Sequence, residues 1–120
     1  MGGWGLSVTG ISSALEMFDS VKMRWNDDEL YLVGPTVSYA VYQEQGTSSI
    51  EARPFMRPAA ERVRSDPEAM LTKYGPQTPQ AGPVETLAIA VQNEAKRIAD
   101  RKGVRDTGTL ISSITYQQVN

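Results

Sequence analysis

The sequence predicts an α+β domain, in which a small antiparallel β-sheet packs against a long amphipathic helix with one or two shorter helices beside it. Three observations predict it. Val84, Leu87, Ala88, Val91, Ala95, Ile98 and Ala99 recur at spacings of three and four, the apolar stripe of a docked helix. Leu30 to Val33 is a compact apolar run, and Thr36 to Gln45 alternates, with Val37, Tyr39, Val41 and Gln43 on one face and Ser38, Ala40, Tyr42 and Glu44 on the other. Prolines stand where helices open, at Pro58 and at Pro67 behind Asp66.

In chain order, a first helix is expected from Ser12 to Met23, capped by Ser12 or Ser13, with Glu16 in its first turn and Leu15, Phe18 and Met23 inward. Trp25 ends it. Asn26-Asp27-Asp28-Glu29 is a polar turn, Leu30 to Val33 a strand, Gly34-Pro35 a corner, and Thr36 to Gln45 the second arm of a hairpin. Gly46-Thr47 closes that strand with a tight turn. A polar loop, Ser48 to Glu51, leads to Pro54 and Pro58, which brace Phe55 and Met56, and Pro58 opens a helix carrying Ala59, Ala60 and Val63. Asp66 and Pro67 form a second cap, and that helix ends at Tyr74-Gly75. Residues 75–83, GPQTPQAGP, have no apolar face and are expected to form a loop or extended linker within a single 1–120 domain. The long helix follows from Val84, with Glu85 near its positive end and Arg97, Arg101 and Lys102 near its negative end before Gly103. Residues 104–108 then turn and Thr109 to Val119 is strand-like, with Leu110, Ile114 and Tyr116 inward across a bulge.

The 120 residues suffice for one core, and 40% hydrophobic with 22% charged residues describe a soluble domain with a modest one. The N-terminal MGGWGLSVTGISS lacks the basic start and apolar run of a signal peptide, and no stretch has the length of a membrane span. With no Cys and no His, thiolate chemistry, disulfides, imidazole bases and the commonest zinc sites are excluded. A net charge of −2 argues against sequence-reading of nucleic acid.

The candidate chemistry is thin. Asp27-Asp28-Glu29 lacks the ligand spacing of a calcium loop and reads as a solvated turn. Glu44 and Glu51 could form the carboxylate pair of a small hydrolase, but no sugar-binding aromatic cleft accompanies them, and Glu44 reads better as an interface or turn residue. Arg53 and Arg57 flank Phe55 and could clamp a phosphate or carboxylate, pair with Glu51 or Glu61, or pair across a subunit boundary. Lys96, Arg97, Arg101, Lys102 and Arg105 read as a helix C-terminus meeting its dipole. Trp4 and Trp25 read as packing residues. Ser and Thr around Asp106-Thr107-Gly108 lack an activating base. No catalytic residue, cofactor or metal site is expected.

Two motifs carry a resemblance. YAVYQEQGT with ARPFMRPA at residues 39–59, and DTGTLISSI at 106–114 behind the long helix, resemble the neck or tail-completion proteins of long-tailed bacteriophages, the head-tail joining or minor tail component family. The order of the two is reversed relative to the usual family pattern, which implies a permuted version joined through residues 75–83. The resemblance implies a structural virion protein assembled in the host cytoplasm as a homo-oligomeric, hexameric ring set between the portal or connector and the tail tube or terminator. DNA would pass through its lumen without sequence-specific binding, and no membrane is involved. A tail terminator capping the tube is the nearest alternative. A ring of identical subunits needs a heterologous contact. The residues expected to supply it are Tyr42, Glu44, Gly46, Thr47, Arg53, Pro54, Phe55, Met56, Arg57, Asp106, Thr107 and Gly108, with Phe55 and Met56 as rigid apolar knobs and the strand ending at Gly46 as an open edge.

Overall fold

The computed structural model describes residues 4–8, 11–12, 17–18, 21–25, 29–49, 51–103 and 107–118, with side chains described for residues 30–49, 51–103 and 108–118. The protein is an α+β domain in which an antiparallel sheet packs against a long helix. The elements run β1 (Trp4–Val8), β2 (Ile11–Ser12), β3 (Met17–Phe18), β4 (Val21–Trp25), β5 (Glu29–Gly34), α1 (Ala40–Gln45), α2 (Met56–Ser65), α3 (Pro67–Tyr74), a 3₁₀ turn (Gly75–Gln77), α4 (Pro83–Lys102), α5 (Thr107–Ser113) and β6 (Thr115–Gln118). The four-stranded sheet has the order β1-β4-β5-β6, antiparallel throughout, and β2 pairs with β3 separately.

The helix expected over Ser12 to Met23 is not formed. Val21, Met23 and Trp25 alternate with Lys22 and Arg24, a period of two, and this segment is β4 at the centre of the sheet. Ile11 opposite Phe18 continues the register that sets Trp4 opposite Trp25 and Val8 opposite Val21, so β1–β2 and β3–β4 are the two arms of one hairpin without a slip. The polar turn at Asn26-Asp27-Asp28 lies outside the described residues, as do the side chains of Trp4 and Trp25.

The strand at Leu30 to Val33 is present as β5, and Tyr31, Leu32 and Val33 are buried in succession. The second hairpin arm expected over Thr36 to Gln45 is instead a turn and the short helix α1. Its buried residues are Ala40, Gln43 and Glu44, an i, i+3, i+4 set that only a helix places on one side. The partner expected to lie beside β5 at that position is supplied by the far end of the chain: Gly34 pairs with Thr115 and Tyr31 with Gln118.

Met56 to Ser65 and Pro67 to Tyr74 are the two helices expected behind Pro58 and Pro67, and the Asp66 side chain accepts a hydrogen bond from the Ala69 N–H as the cap of α3. Residues 75–83 are no extended linker. Gly75–Gln77 forms a 3₁₀ turn, the Thr78 N–H donates to Gly75 O and the Ala81 N–H to Thr78 O, and α4 begins at Pro83. One core spans both sides of this connection, joining Phe55, Met56, Ala59, Ala60, Val63 and Tyr74 to Val84, Leu87, Ala88, Val91, Ala95, Ile98 and Ala99. Gly103 ends α4 at φ 64°, and its N–H returns to Ala99 O and Asp100 O, the left-handed cap that a side chain adopts only with strain.

The strand expected from Thr109 begins later. Thr107–Ser113 is helical, and Ser112 and Ser113 hydroxyls donate back to Gly108 O and Leu110 O. Leu110 and Ile114 are both buried because they lie four apart on this last turn, without a bulge. Tyr116 then packs against the core from β6, its ring centroid 6.3 Å from that of Tyr31.

Candidate functional site

Residues 42–57 form one hydrogen-bonded unit around Glu44. This carboxylate is buried, and its Oε1 accepts from the N–H groups of Phe55 at 2.9 Å and Met56 at 3.0 Å, while Oε2 accepts from the Arg57 N–H at 3.1 Å. The first turn of a helix leaves such donors without intrahelical partners. Pro58 has no N–H to satisfy, and the Ala59 N–H starts the helical ladder by donating to Phe55 O at 3.3 Å. Every backbone donor at the N-terminus of α2 is therefore accounted for, and the negative charge sits at the positive end of the helix.

The approach to that turn is also held. Gly46, at φ 78°, turns the chain out of α1, with its N–H on Tyr42 O at 2.7 Å. The Arg53 N–H donates to Gln43 O at 2.6 Å, Arg53 Nη1 to Gly103 O at 2.9 Å, and Lys102 Nζ to Pro54 O at 2.7 Å. The end of α4 thus grips the segment that opens α2.

This geometry corrects several expectations. Phe55 and Met56 are fully buried in the core, so they are not exposed knobs. Glu44 is a helix cap and not a surface interface residue, and both of its oxygens are already engaged by backbone amides. Within the subunit Arg53 faces the C-terminal cap of α4 and not Glu51, and Glu61 pairs with Arg64 at 3.4 Å. Gly46 follows a helix, so no strand edge ends there. Tyr42, Thr47, Arg53 and Arg57 are exposed and Pro54 is half-buried. Gly108 is exposed on α5; Thr107 is described by its backbone alone, and Asp106 lies outside the described residues. The five-residue basic run also divides, because Lys102 holds Pro54 and Arg97 turns to Glu94, while Arg105 is outside the described residues.

A second cluster was not anticipated from the sequence. Glu94, on α4, is fully buried. Its Oε1 accepts from Arg97 and from Arg62 Nη1 at 3.5 Å, and its Oε2 from Lys73 Nζ at 3.0 Å and the Tyr74 hydroxyl at 2.8 Å. Burial pushes its carboxyl up, but the hydrogen bonds from Arg97, Tyr74 and Lys73 outweigh that and hold it down at about 2. Burial and the bond to Glu94 push the Tyr74 hydroxyl up to about 12. The signal was present in the sequence: Glu94 stands three after Val91 and four before Ile98, an acid on the apolar stripe of α4.

An open cleft of about 480 Å³ lies where the 3₁₀ turn meets β6, lined by Gln77, Thr78, Ala81, Glu85, Ile89 and Tyr116. The Tyr116 hydroxyl donates to Glu85 Oε2 at 2.9 Å across its floor, and burial with that bond raises the hydroxyl above its usual value. Among the described residues no group of three His, Cys, Asp or Glu is placed to hold a metal ion, and no helix is long and apolar enough to cross a membrane. Comparison with protein-family models, with curated proteins and with solved structures returned no match.

Proposed function

We propose that this chain is a structural component of the neck of a long-tailed phage, a ring that joins the head to the tail tube and lets DNA pass. The observation that supports it is the pairing of YAVYQEQGT with ARPFMRPA, which the Glu44 carboxylate ties into a single unit through three amide bonds. The motif is then a fold signature, because its acid, its glycine and its two prolines each satisfy or shape the entry to α2. A resemblance confined to such residues bears on the architecture of the subunit, and through it on the assembly that architecture serves.

Of the residues expected at a head-to-tail contact, Tyr42 and Arg57 stay exposed, while the open strand edge belongs to β6 and not to the segment ending at Gly46. β6 is an edge of the sheet, and a strand from another copy can extend it. Tyr42 is the exposed large apolar side chain among the described residues, at 53% exposure on α1, and Arg57 is exposed on the first turn of α2. The two belong to the same capped unit, in elements other than β6. Two distinct patches per copy are what a closed ring requires.

Light scattering behind size-exclusion chromatography, with negative-stain imaging, tests this reading. Closed rings, or assembly upon mixing with a purified portal complex, are expected. A chain that stays monomeric under both conditions and is missing from purified particles overturns it.

A further inference from the structure

The geometry points to a phosphate-binding site at the junction of α2, α3 and α4, formed by Arg62, Lys73 and Arg97 held together by the buried Glu94 carboxylate. Three cations converge on one carboxylate, so the cluster carries two positive charges more than it neutralises. The nearby acids do not supply the balance: Glu61 pairs with Arg64, Asp66 caps α3, and the ion pairs of Arg62, Lys73 and Arg97 all go to Glu94 rather than to Glu68 of α3 or Asp100 of α4.

The cations are fixed yet reachable. Each reaches Glu94 from a different helix or turn, and the side chains of Arg62, Lys73 and Arg97 remain 47%, 52% and 37% exposed while Glu94 is fully covered. Glu94 accepts from one nitrogen of each, which leaves further guanidinium and ammonium donors for a ligand. Arg97 Nε is buried without a hydrogen-bond partner, an unmet donor within the same group. Planar guanidinium forks suit tetrahedral oxyanions. A phosphate dianion matches the surplus of two charges, whereas a side-chain carboxylate from a neighbouring protein would cancel half of it. The Tyr74 hydroxyl, bound to Glu94 Oε2, closes the inner side and keeps the carboxylate from turning outward.

Thermal unfolding of the whole chain with inorganic phosphate, against chloride at equal ionic strength, reads the site directly. Phosphate is expected to raise the midpoint of the wild type and of Arg64→Gln, a cation outside the cluster, and Arg62→Gln or Lys73→Gln is expected to weaken the apparent affinity about tenfold. Both variants leave Glu94 paired with Arg97 and Tyr74, and circular dichroism checks that they fold. Arg62→Lys, which keeps the charge but not the planar fork, serves as the second variant and is expected to weaken binding less than Arg62→Gln. A parallel titration with a 20-base-pair DNA duplex separates the sources: a response to DNA alone that is lost in Arg62→Gln and Lys73→Gln places the phosphate on a nucleic-acid backbone, and a response to inorganic phosphate places it on a free phosphate or phosphomonoester. No response to either ligand, or a response that both substitutions leave unchanged, overturns the site.

Discussion

Two buried carboxylates, Glu44 and Glu94, do different work with the same chemical group. Glu44 accepts three backbone amides and stands in for the missing turn before α2. Glu44→Ala is expected to cost about 2–3 kcal/mol, more than an ordinary cap because three donors lose their acceptor inside the protein. Urea unfolding at neutral pH measures this, and a loss within 0.5 kcal/mol, on the order of a neutral surface change, would show that water replaces the carboxylate freely. Glu94 accepts from side chains, and its carboxyl is held at about 2, below the ordinary 4.5. A carboxyl with a lowered folded value adds stability that is complete above about pH 4.5 and fades as pH falls toward 2. Wild-type stability should therefore decline across that window. Glu94→Gln is expected to be about 3 kcal/mol less stable at pH 7 and to show a smaller decline in acid. Equal acid slopes in the two proteins would mean that Glu94 is not the group that titrates.

The element scale is governed by α4 and by the entry to α2. Ten residues of α4 are buried, and it packs on α2, α3, α5 and the sheet. Leu87→Asp places a charge in that interface without a partner and is expected to unfold the domain, seen as loss of helicity by circular dichroism. Phe55 belongs to the same core, at the capped end of α2. Phe55→Ala is expected to cost about 3–5 kcal/mol through the cavity it leaves, measured as a lowered unfolding midpoint. A variant of wild-type stability that only failed to assemble would return Phe55 to the surface. The sequence read α2, α3 and α4 well, because Pro58, Asp66-Pro67 and Gly103 mark their ends and the apolar spacing of α4 admits one period. It read α1 and α5 poorly. Each is at most seven residues long, and over so few positions alternation and helical spacing overlap.

At the scale of the whole molecule, the sheet joins the two ends of the described chain. β5 lies between β4, which precedes it closely, and β6, which arrives from the far side of five α-helices. The core is shared across that long excursion, so the segment after residue 75 is integral to the fold rather than tethered to it. Assembly, in the proposed reading, uses the surfaces left over: the β6 edge and the exposed unit carrying Tyr42 and Arg57. Arg57→Glu is expected to leave the monomer folded, because the Arg57 backbone N–H and not its side chain serves the Glu44 cap, and to reduce ring formation at least tenfold through like-charge or unpaired-charge cost. Light scattering at matched concentrations checks it, and unchanged assembly removes Arg57 from the contact.

The candidate site was legible only in part. The segment from Tyr39 to Ala59 stood out as a unit, but its role was misplaced: proline-flanked Phe55 and Met56 suggested exposure, while the prolines in fact shape a buried helix entry whose amides need Glu44. The Glu94 cluster joins the local pair Glu94 and Arg97, three apart on α4, to Arg62, Lys73 and Tyr74, which no local pattern brings to it.

What the sequence determined alone is whatever a local rule decides: the helices whose caps and period are written in neighbouring residues, the positive-φ turn at Gly46, the end of α4 before Gly103, and the absence of thiol and imidazole chemistry. The tertiary structure alone decided which strand lies beside β5, that residues 40–45 coil into a helix, and where each buried carboxylate finds its donors. Strand partners and buried charges are chosen by contacts between residues distant in the chain, and the free energy of those contacts outweighs the small local preference that a short segment carries.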